Sequence, residues 1–176
     1  GARELEWLKH LVLDDGIATV HLAPKLLEAV LARMNPGEIA GMLAQIGAIE
    51  DAEQCADALS ATIPSLDKTQ SHDAYLTALR INSPYKRANL LIRLVPKLEP
   101  SAQADARKAV FEAAIKFPHA TSRFETLAAL LPLLSPTEKP QAITGMVDAL
   151  TEMGWFWYGA THLVDMFACL RDSPDL

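Results

Sequence analysis

The chain has 176 residues, of which 50% are hydrophobic and only 6% aromatic, and its net charge is −6 at pH 7. Its longest uninterrupted apolar run, 127–134, is far shorter than the about 20 residues that a membrane-spanning helix needs. No basic segment followed by an apolar one opens the chain, so no signal peptide is visible. We therefore expect a cytoplasmic protein that does not contact a membrane.

Apolar residues recur at helical spacing throughout the chain, and no segment alternates in the manner of a β-strand. Pro84 suits a first helical turn, where its missing N–H costs nothing, and Ser101 suits an N-cap. The pattern predicts an all-α fold. The predicted helices span residues 4–13, 22–34, 37–49, 51–66, 70–81, 84–98, 101–117, 121–134 and 137–153.

The chain also repeats itself. Segment 85–100 (YKRANLLIRLVPKLEP) matches segment 121–136 (TSRFETLAALLPLLSP), 36 positions later. Weaker matches, 32 positions upstream and 36 downstream, place the starts of the copies near residues 19, 51, 83, 119 and 155. Such a period is typical of stacked helical hairpins that share a core. We predict one domain, 1–176, built as an α-solenoid of about four to five antiparallel hairpins.

Three prolines, Pro64, Pro96 and Pro132, occupy one register near the end of the first helix of a hairpin. A proline inside a straight helix removes a hydrogen bond and costs about 3 kcal/mol. Its recurrence at one position predicts a kink or an early 3₁₀ ending in every unit. The alignment also predicts a core of equivalent leucines, namely Leu91, Leu94, Leu127 and Leu130.

The pattern Arg-x-x-x-Leu-x-x-Leu-x-Pro-x-Leu-x-Pro resembles the HEAT- or TPR-like repeats of bacterial multidomain signalling proteins, often found beside NACHT-type or NB-ARC-type ATPase modules. The resemblance covers the chain from about residue 19 onward. It departs from TPR in lacking the usual signature and from HEAT in its short spacing. No Gly-Lys dipeptide, and therefore no P-loop, occurs in the sequence. The resemblance implies an arm or sensor region that belongs to, or works with, a larger protein.

An aromatic run, Trp155-Phe156-Trp157-Tyr158, stands out in this aromatic-poor chain. Four consecutive helical residues point in nearly every direction, so they cannot all face one core. Trp and Tyr are enriched at interaction hot spots, which makes Trp155, Trp157 and Tyr158 candidates for partner binding. The alternative is a hydrophobic cap on the last repeat or a contact with a following one.

Arg87 and Arg123 share one repeat position near the start of a helix. Stacked repeats would place them about 10 Å apart, as a row able to bind a phosphate or an acidic peptide. The alternative is a structural arginine, paired with a neighbouring carboxylate while its stem covers apolar surface.

No catalytic motif or glycine-rich phosphate loop is present, and we expect neither an enzyme nor a cofactor. His162, Asp165 and Cys169 have the one metal-like spacing, but Cys169 falls in a core-facing phase, so no metal site is expected. Cys55 and Cys169 lie at opposite ends of the repeats and predict two free thiols in a reducing compartment.

These observations favour a protein–protein interaction module that binds a protein partner. The alternative function is binding of nucleic-acid backbone through the basic band, defined as the cations of segment 81–125. Its members are Lys86, Arg87, Arg93, Lys97, Arg107, Lys108, Lys116 and Arg123. The acidic chain as a whole and the lack of basic-aromatic interleaving argue against that alternative. A self-associating structural spacer is a third hypothesis.

Overall fold

In a computed structural model, which describes residues 2–14 and 24–154, every secondary-structure element is a helix and no strand occurs. The predicted all-α fold is confirmed for this part of the chain. The α-helices are α1 (Ala2–Asp14), α2 (Pro24–Leu31), α3 (Pro36–Ala48), α4 (Ala52–Thr62), α5 (Lys68–Leu79), α6 (Pro84–Leu94), α7 (Pro100–Ala114), α8 (Ala120–Leu130) and α9 (Lys139–Met153). Among these helices, none has the length and apolar character that crossing a bilayer requires.

Local capping explains where several helices begin. Asn35 accepts a hydrogen bond from the Glu38 N–H at 3.0 Å, and the Glu38 carboxylate accepts one from the Asn35 N–H at 2.8 Å. Asp67 and Gln70 form the same reciprocal pair at the start of α5. Each pair satisfies two N–H groups that the first turn leaves without partners, and so fixes the start of the helix.

The chain folds into two compact units, the first running from Gly1 to Ala102. Within it, α1 packs on α2 and α3, while alternate helices stack: α2 packs on α4, α4 on α6, and α3 on α5. Fully buried side chains in this stack include Val30, Met42, Ile46, Leu59 and Leu94. Burial of this apolar surface is the main stabilising contribution of the unit.

The second unit begins at Gln103, and within its described residues α8 packs on α9. Phe124, Leu127 and Leu130 of α8 are buried together with Met146 of α9. Gly145 brings the two helices close, because a Cβ atom built there would lie 3.0 Å from Leu127 Cδ1. The predicted core leucines of both units are confirmed, since Leu91, Leu94, Leu127 and Leu130 are each at most 1% exposed.

The three prolines that share a register each occupy the middle of a 3₁₀ turn, Ile63–Ser65, Val95–Lys97 and Leu131–Leu133. Each turn ends in the same way, with the N–H of Leu66, Leu98 or Leu134 donating to the first carbonyl of the turn at 3.2, 3.2 and 3.3 Å. The predicted 3₁₀ ending is therefore confirmed at all three positions. The proline lies where the α-helix has already stopped, so no interior helical bond is lost.

Candidate functional site

Part of the predicted site lies outside the described residues. Trp155, Trp157 and Tyr158 belong to that part, as do His162 and Cys169. The proposed role of the aromatic run in partner binding therefore stays a prediction.

Three connections between successive helices share one backbone geometry, and we call them the first, second and third junctions (residues 46–55, 78–87 and 114–123). The preceding helix ends when the N–H of Ile49, Ile81 or Phe117 donates to the carbonyl three residues earlier, at 3.2, 3.2 and 3.1 Å. Two residues further on, the next helix begins at an extended N-cap residue, which is Asp51, Ser83 or His119. The chain thus passes through three equivalent turns with different side chains.

Arg87 and Arg123 lie at one position of the second and third junctions and make the same contact. Nη1 of Arg87 donates to the Ile81 carbonyl at 2.8 Å, and Nη1 of Arg123 donates to the Phe117 carbonyl at 2.8 Å. Arg123 also forms an ion pair with Glu152. Both arginines are half-buried. Each guanidinium therefore binds the carbonyl that follows the preceding helix, which is a structural role beside the predicted partner-binding role.

At the first junction the equivalent position, 32 residues before Arg87, is Cys55. The residue is 5% exposed, and burial raises the pKa of its thiol, so the side chain is neutral at pH 7. Among the described residues, no side chain donates to the Ile49 carbonyl, which corresponds to the carbonyls of Ile81 and Phe117. A short thiol replaces the long donor of the other two junctions. This difference is visible in the sequence, where a cysteine stands at the position of Arg87 and Arg123.

A cavity of about 270 Å³ lies at this junction, and we call it the Cys55 cavity. It is bounded by the end of α3, the start of α4 and the end of α5. Its lining residues are Gly47, Ala48, Ile49, Glu50, Ala52, Cys55, Thr77, Arg80, Ile81 and Asn82. Glu50 and Arg80 are exposed and bring opposite charges to it. The cavity therefore combines small apolar side chains with polar ones and one charge of each sign.

Three large apolar side chains of segment 76–85, a segment that also contributes Thr77, Arg80, Ile81 and Asn82 to the Cys55 cavity, are exposed. Leu76 and Leu79 of α5 are 48% and 39% exposed, and Tyr85, at the start of α6, is 41% exposed. Leu76 lies one helical turn before Arg80, the residue that directly follows α5, so the two side chains lie on the same side of the helix end. We call Leu76 and Leu79 the α5 apolar pair.

In the first unit, three cations of the basic band besides Arg87 contact α4 and the turn that follows it. The contacts are Lys86 Nζ with Asp57 Oδ1 at 3.1 Å, Arg93 Nη1 with the Ser60 hydroxyl, and Lys97 Nζ with the carbonyls of Pro64 and Leu66 at 3.0 and 2.9 Å. The hydrogen bond to Asp57 raises the pKa of Lys86. These charges join neighbouring helices, and a phosphate would have to compete with their partners.

In the second unit, Arg107 Nε lies 3.4 Å from Glu138 Oε2, but the approach lacks hydrogen-bond geometry. These two residues line a second cavity of about 300 Å³ together with Asp105 and Lys108, so its charges balance. Lys108 and Lys116 are exposed. Arg93 of the basic band is exposed as well, but its guanidinium contacts the Ser60 hydroxyl.

Within the described ranges, no group of three or more His, Cys, Asp or Glu residues is arranged to hold a metal ion. No protein-family model, curated protein or solved structure matches the chain.

Proposed function

We propose that this chain is a protein-interaction module whose contact surface includes the α5 apolar pair and the Cys55 cavity. The observation that carries the proposal is the exposure of Leu76 and Leu79 on the stretch of α5 that also lines the cavity. Exposed apolar side chains beside a concave, partly polar site are a usual composition of a protein interface. A protein partner would bury both the α5 apolar pair and the Cys55 cavity.

The proposal includes an α-solenoid architecture of about four to five hairpins, HEAT- or TPR-like in style. It is supported by the stacking of α2 on α4, α4 on α6 and α3 on α5 in the first unit. The three junctions with equivalent hydrogen bonds support it as well. Solenoids of this kind offer an extended surface built from successive repeats, which suits partner binding.

The resemblance to repeat regions of NACHT-type and NB-ARC-type signalling proteins extends the proposal. Under it, the chain is an arm or sensor region that works with an ATPase module. The buried free thiol of Cys55 supports a reducing, cytoplasmic compartment.

The alternative function, binding of nucleic-acid backbone, has less support. Most cations of the basic band contact carboxylates, hydroxyls or backbone carbonyls of their own unit. A protein that binds phosphates releases counterions through several accessible Lys and Arg side chains. The exposed pair Lys108 and Lys116 is a small number for that role.

The function is tested by affinity capture from host lysate, with and without nuclease. The double variant Leu76→Asp, Leu79→Asp is compared with Ile115→Asp, which changes an exposed apolar residue of the second unit. Helical content, measured by circular dichroism, should be equal in all proteins. A stoichiometric partner that survives nuclease and is lost only from the double variant supports the proposal. Equal capture by all three proteins contradicts the surface, and capture that disappears with nuclease favours the nucleic-acid alternative.

A further inference from the structure

We propose that the Cys55 cavity binds the guanidinium group of an arginine side chain from a protein partner, which donates to the Ile49 carbonyl. This inference deepens the proposed function and rests on it for the source of the arginine. It follows from the comparison of the three junctions, two of which contain such a guanidinium from their own chain.

At the first junction, the Ile49 residue that would supply the acceptor carbonyl is also part of the lining of the Cys55 cavity. Ile49 corresponds to Ile81, whose carbonyl receives the Arg87 hydrogen bond, and Cys55 corresponds to Arg87 itself. Both Ile49 and Cys55 line the cavity. At the second junction, the Arg87 side chain occupies the space between the carbonyl that ends one helix and the first turn of the next. At the first junction, the corresponding space is open.

The dimensions fit a side chain better than a cofactor. Drug-sized ligands and cofactors generally use cavities of about 300–1,000 Å³, and this cavity has about 270 Å³. Gly47, Ala48 and Ala52 contribute no polar side chain to its lining, which leaves apolar surface for the methylene stem of an arginine whose head hydrogen-bonds.

The charges at the cavity predict how binding responds to substitution. Glu50 attracts a guanidinium, whereas Arg80 repels it. Both residues are exposed, so changing them leaves the core intact. An anionic ligand would be attracted by Arg80 and repelled by Glu50. Substitution of Glu50 or Arg80 should therefore change the affinity for a cationic ligand and for an anionic ligand in opposite directions.

The test is a titration of the isotope-labelled protein with N-acetyl-arginine amide, followed by amide chemical shifts. N-acetyl-citrulline amide, of similar shape but uncharged, is the matched control. We expect saturable shifts around residues 47–55 and 77–82 with a Kd in the millimolar range, and a several-fold weaker effect of citrulline. Shifts that fail to saturate, or equal affinity for both compounds, would overturn the proposal.

Variants define the site. Glu50→Gln should weaken binding several-fold and Arg80→Gln should strengthen it, and the reverse order would show an anion site instead. Cys55→Arg should supply the guanidinium from the chain itself, abolishing binding and raising Tm. Arg87→Cys should create a second site for the same probe at residues 81–87.

Unchanged binding of the probe by folded Cys55→Arg would contradict the proposed position of the site. If that variant does not fold, the exposed variants Glu50→Gln and Arg80→Gln test the proposal.

The two proposals can fail separately. Binding of the probe needs no partner, so its absence while a partner is still captured would refute the guanidinium site and leave the interaction module. Probe binding without any captured protein would support the site and refute the proposed source of its ligand.

Discussion

The guanidinium of Arg87 donates a hydrogen bond to the carbonyl of Ile81, six residues earlier, at 2.8 Å. The first turn of α6 thereby closes the end of α5. Hydrogen bonds from charged groups contribute about 1.5–3 kcal/mol, and an acceptor left without its partner is costly. Arg87→Ala should therefore lower the free energy of unfolding by roughly that amount.

Urea denaturation, followed by circular dichroism, measures this change. Arg33→Ala is the control, because Arg33 is exposed after α2. It should change stability by less than about 0.5 kcal/mol. Equal losses in the two variants would show that the Arg87 contact contributes nothing specific.

The burial of a leucine should determine how much its replacement by alanine lowers the free energy of unfolding. Leu91 is 1% exposed in the core of the first unit, so Leu91→Ala should cost about 2–5 kcal/mol through lost burial and the cavity that remains. Leu76→Ala, on the exposed α5 apolar pair, should stay within about 0.5 kcal/mol. Both values come from urea denaturation midpoints at a common slope. A large loss for Leu76→Ala would mean that this side chain is part of the core and is not a contact residue.

Two glycines in helix interiors should respond differently to alanine. A Cβ atom at Gly41 of α3 would meet nothing within 4 Å, so Gly41→Ala should stabilise by about 0.5–1 kcal/mol through helix propensity. At Gly145 of α9 the same atom would lie 3.0 Å from Cδ1 of the fully buried Leu127. Gly145→Ala should gain nothing or lose stability, because the packed leucine has to move. Thermal unfolding of both variants provides the comparison, and equal stabilisation would refute the close packing of α8 and α9.

Glu138 should make stability depend on acid pH. Its carboxylate accepts a hydrogen bond from the Ser135 hydroxyl at 2.6 Å and another from the Ser135 N–H at 2.8 Å, with Arg107 nearby. These contacts, the hydroxyl first, hold the pKa of Glu138 below its ordinary value. In the acid range the unfolded chain therefore binds more protons at this site than the folded one. The stabilisation is complete above the unfolded pKa and is lost as the pH falls through the folded pKa.

The measurement is the free energy of unfolding from about pH 7 to about pH 3, a range that includes the ordinary glutamate pKa of about 4.3. Glu138→Gln, which cannot ionise, should lose less stability across this range than the unsubstituted protein. Glu125→Gln, at an exposed residue of α8, is the control and should follow the unsubstituted protein more closely. Identical pH profiles for Glu138→Gln and the unsubstituted protein would contradict the proposed contacts.

The elements that could be predicted are those whose cause is local. Helical periodicity indicated the helices, and three prolines in one register indicated the 3₁₀ turns. The predicted segment 51–66, for instance, contains α4 and its turn. The capping pairs at Asn35 and Asp67 have the spacing of a capping box, so they too could have been recognised from the sequence.

The candidate site was harder to predict because its contacts join a side chain to a backbone atom or to another helix. The alignment identified Arg87 and Arg123 as equivalent, but it cannot show that both donate to carbonyls. The partner of Lys86, Asp57, is 29 residues away and depends on how α4 and α6 pack. The Cys55 cavity follows only when the role of the arginines is known.

Arg87 and Arg123 each donate to a carbonyl six residues earlier in the chain, and this determines where the chain can be divided into fragments. A fragment that ends at Asn82 would include every residue of α5 and still lack the group that closes it. The same holds for a fragment that ends at Pro118, which would contain α7 without Arg123. The helix bounds alone would suggest ending a fragment in the loop between two helices. Because of these arginines, a fragment for expression should instead end after the first turn of the following helix.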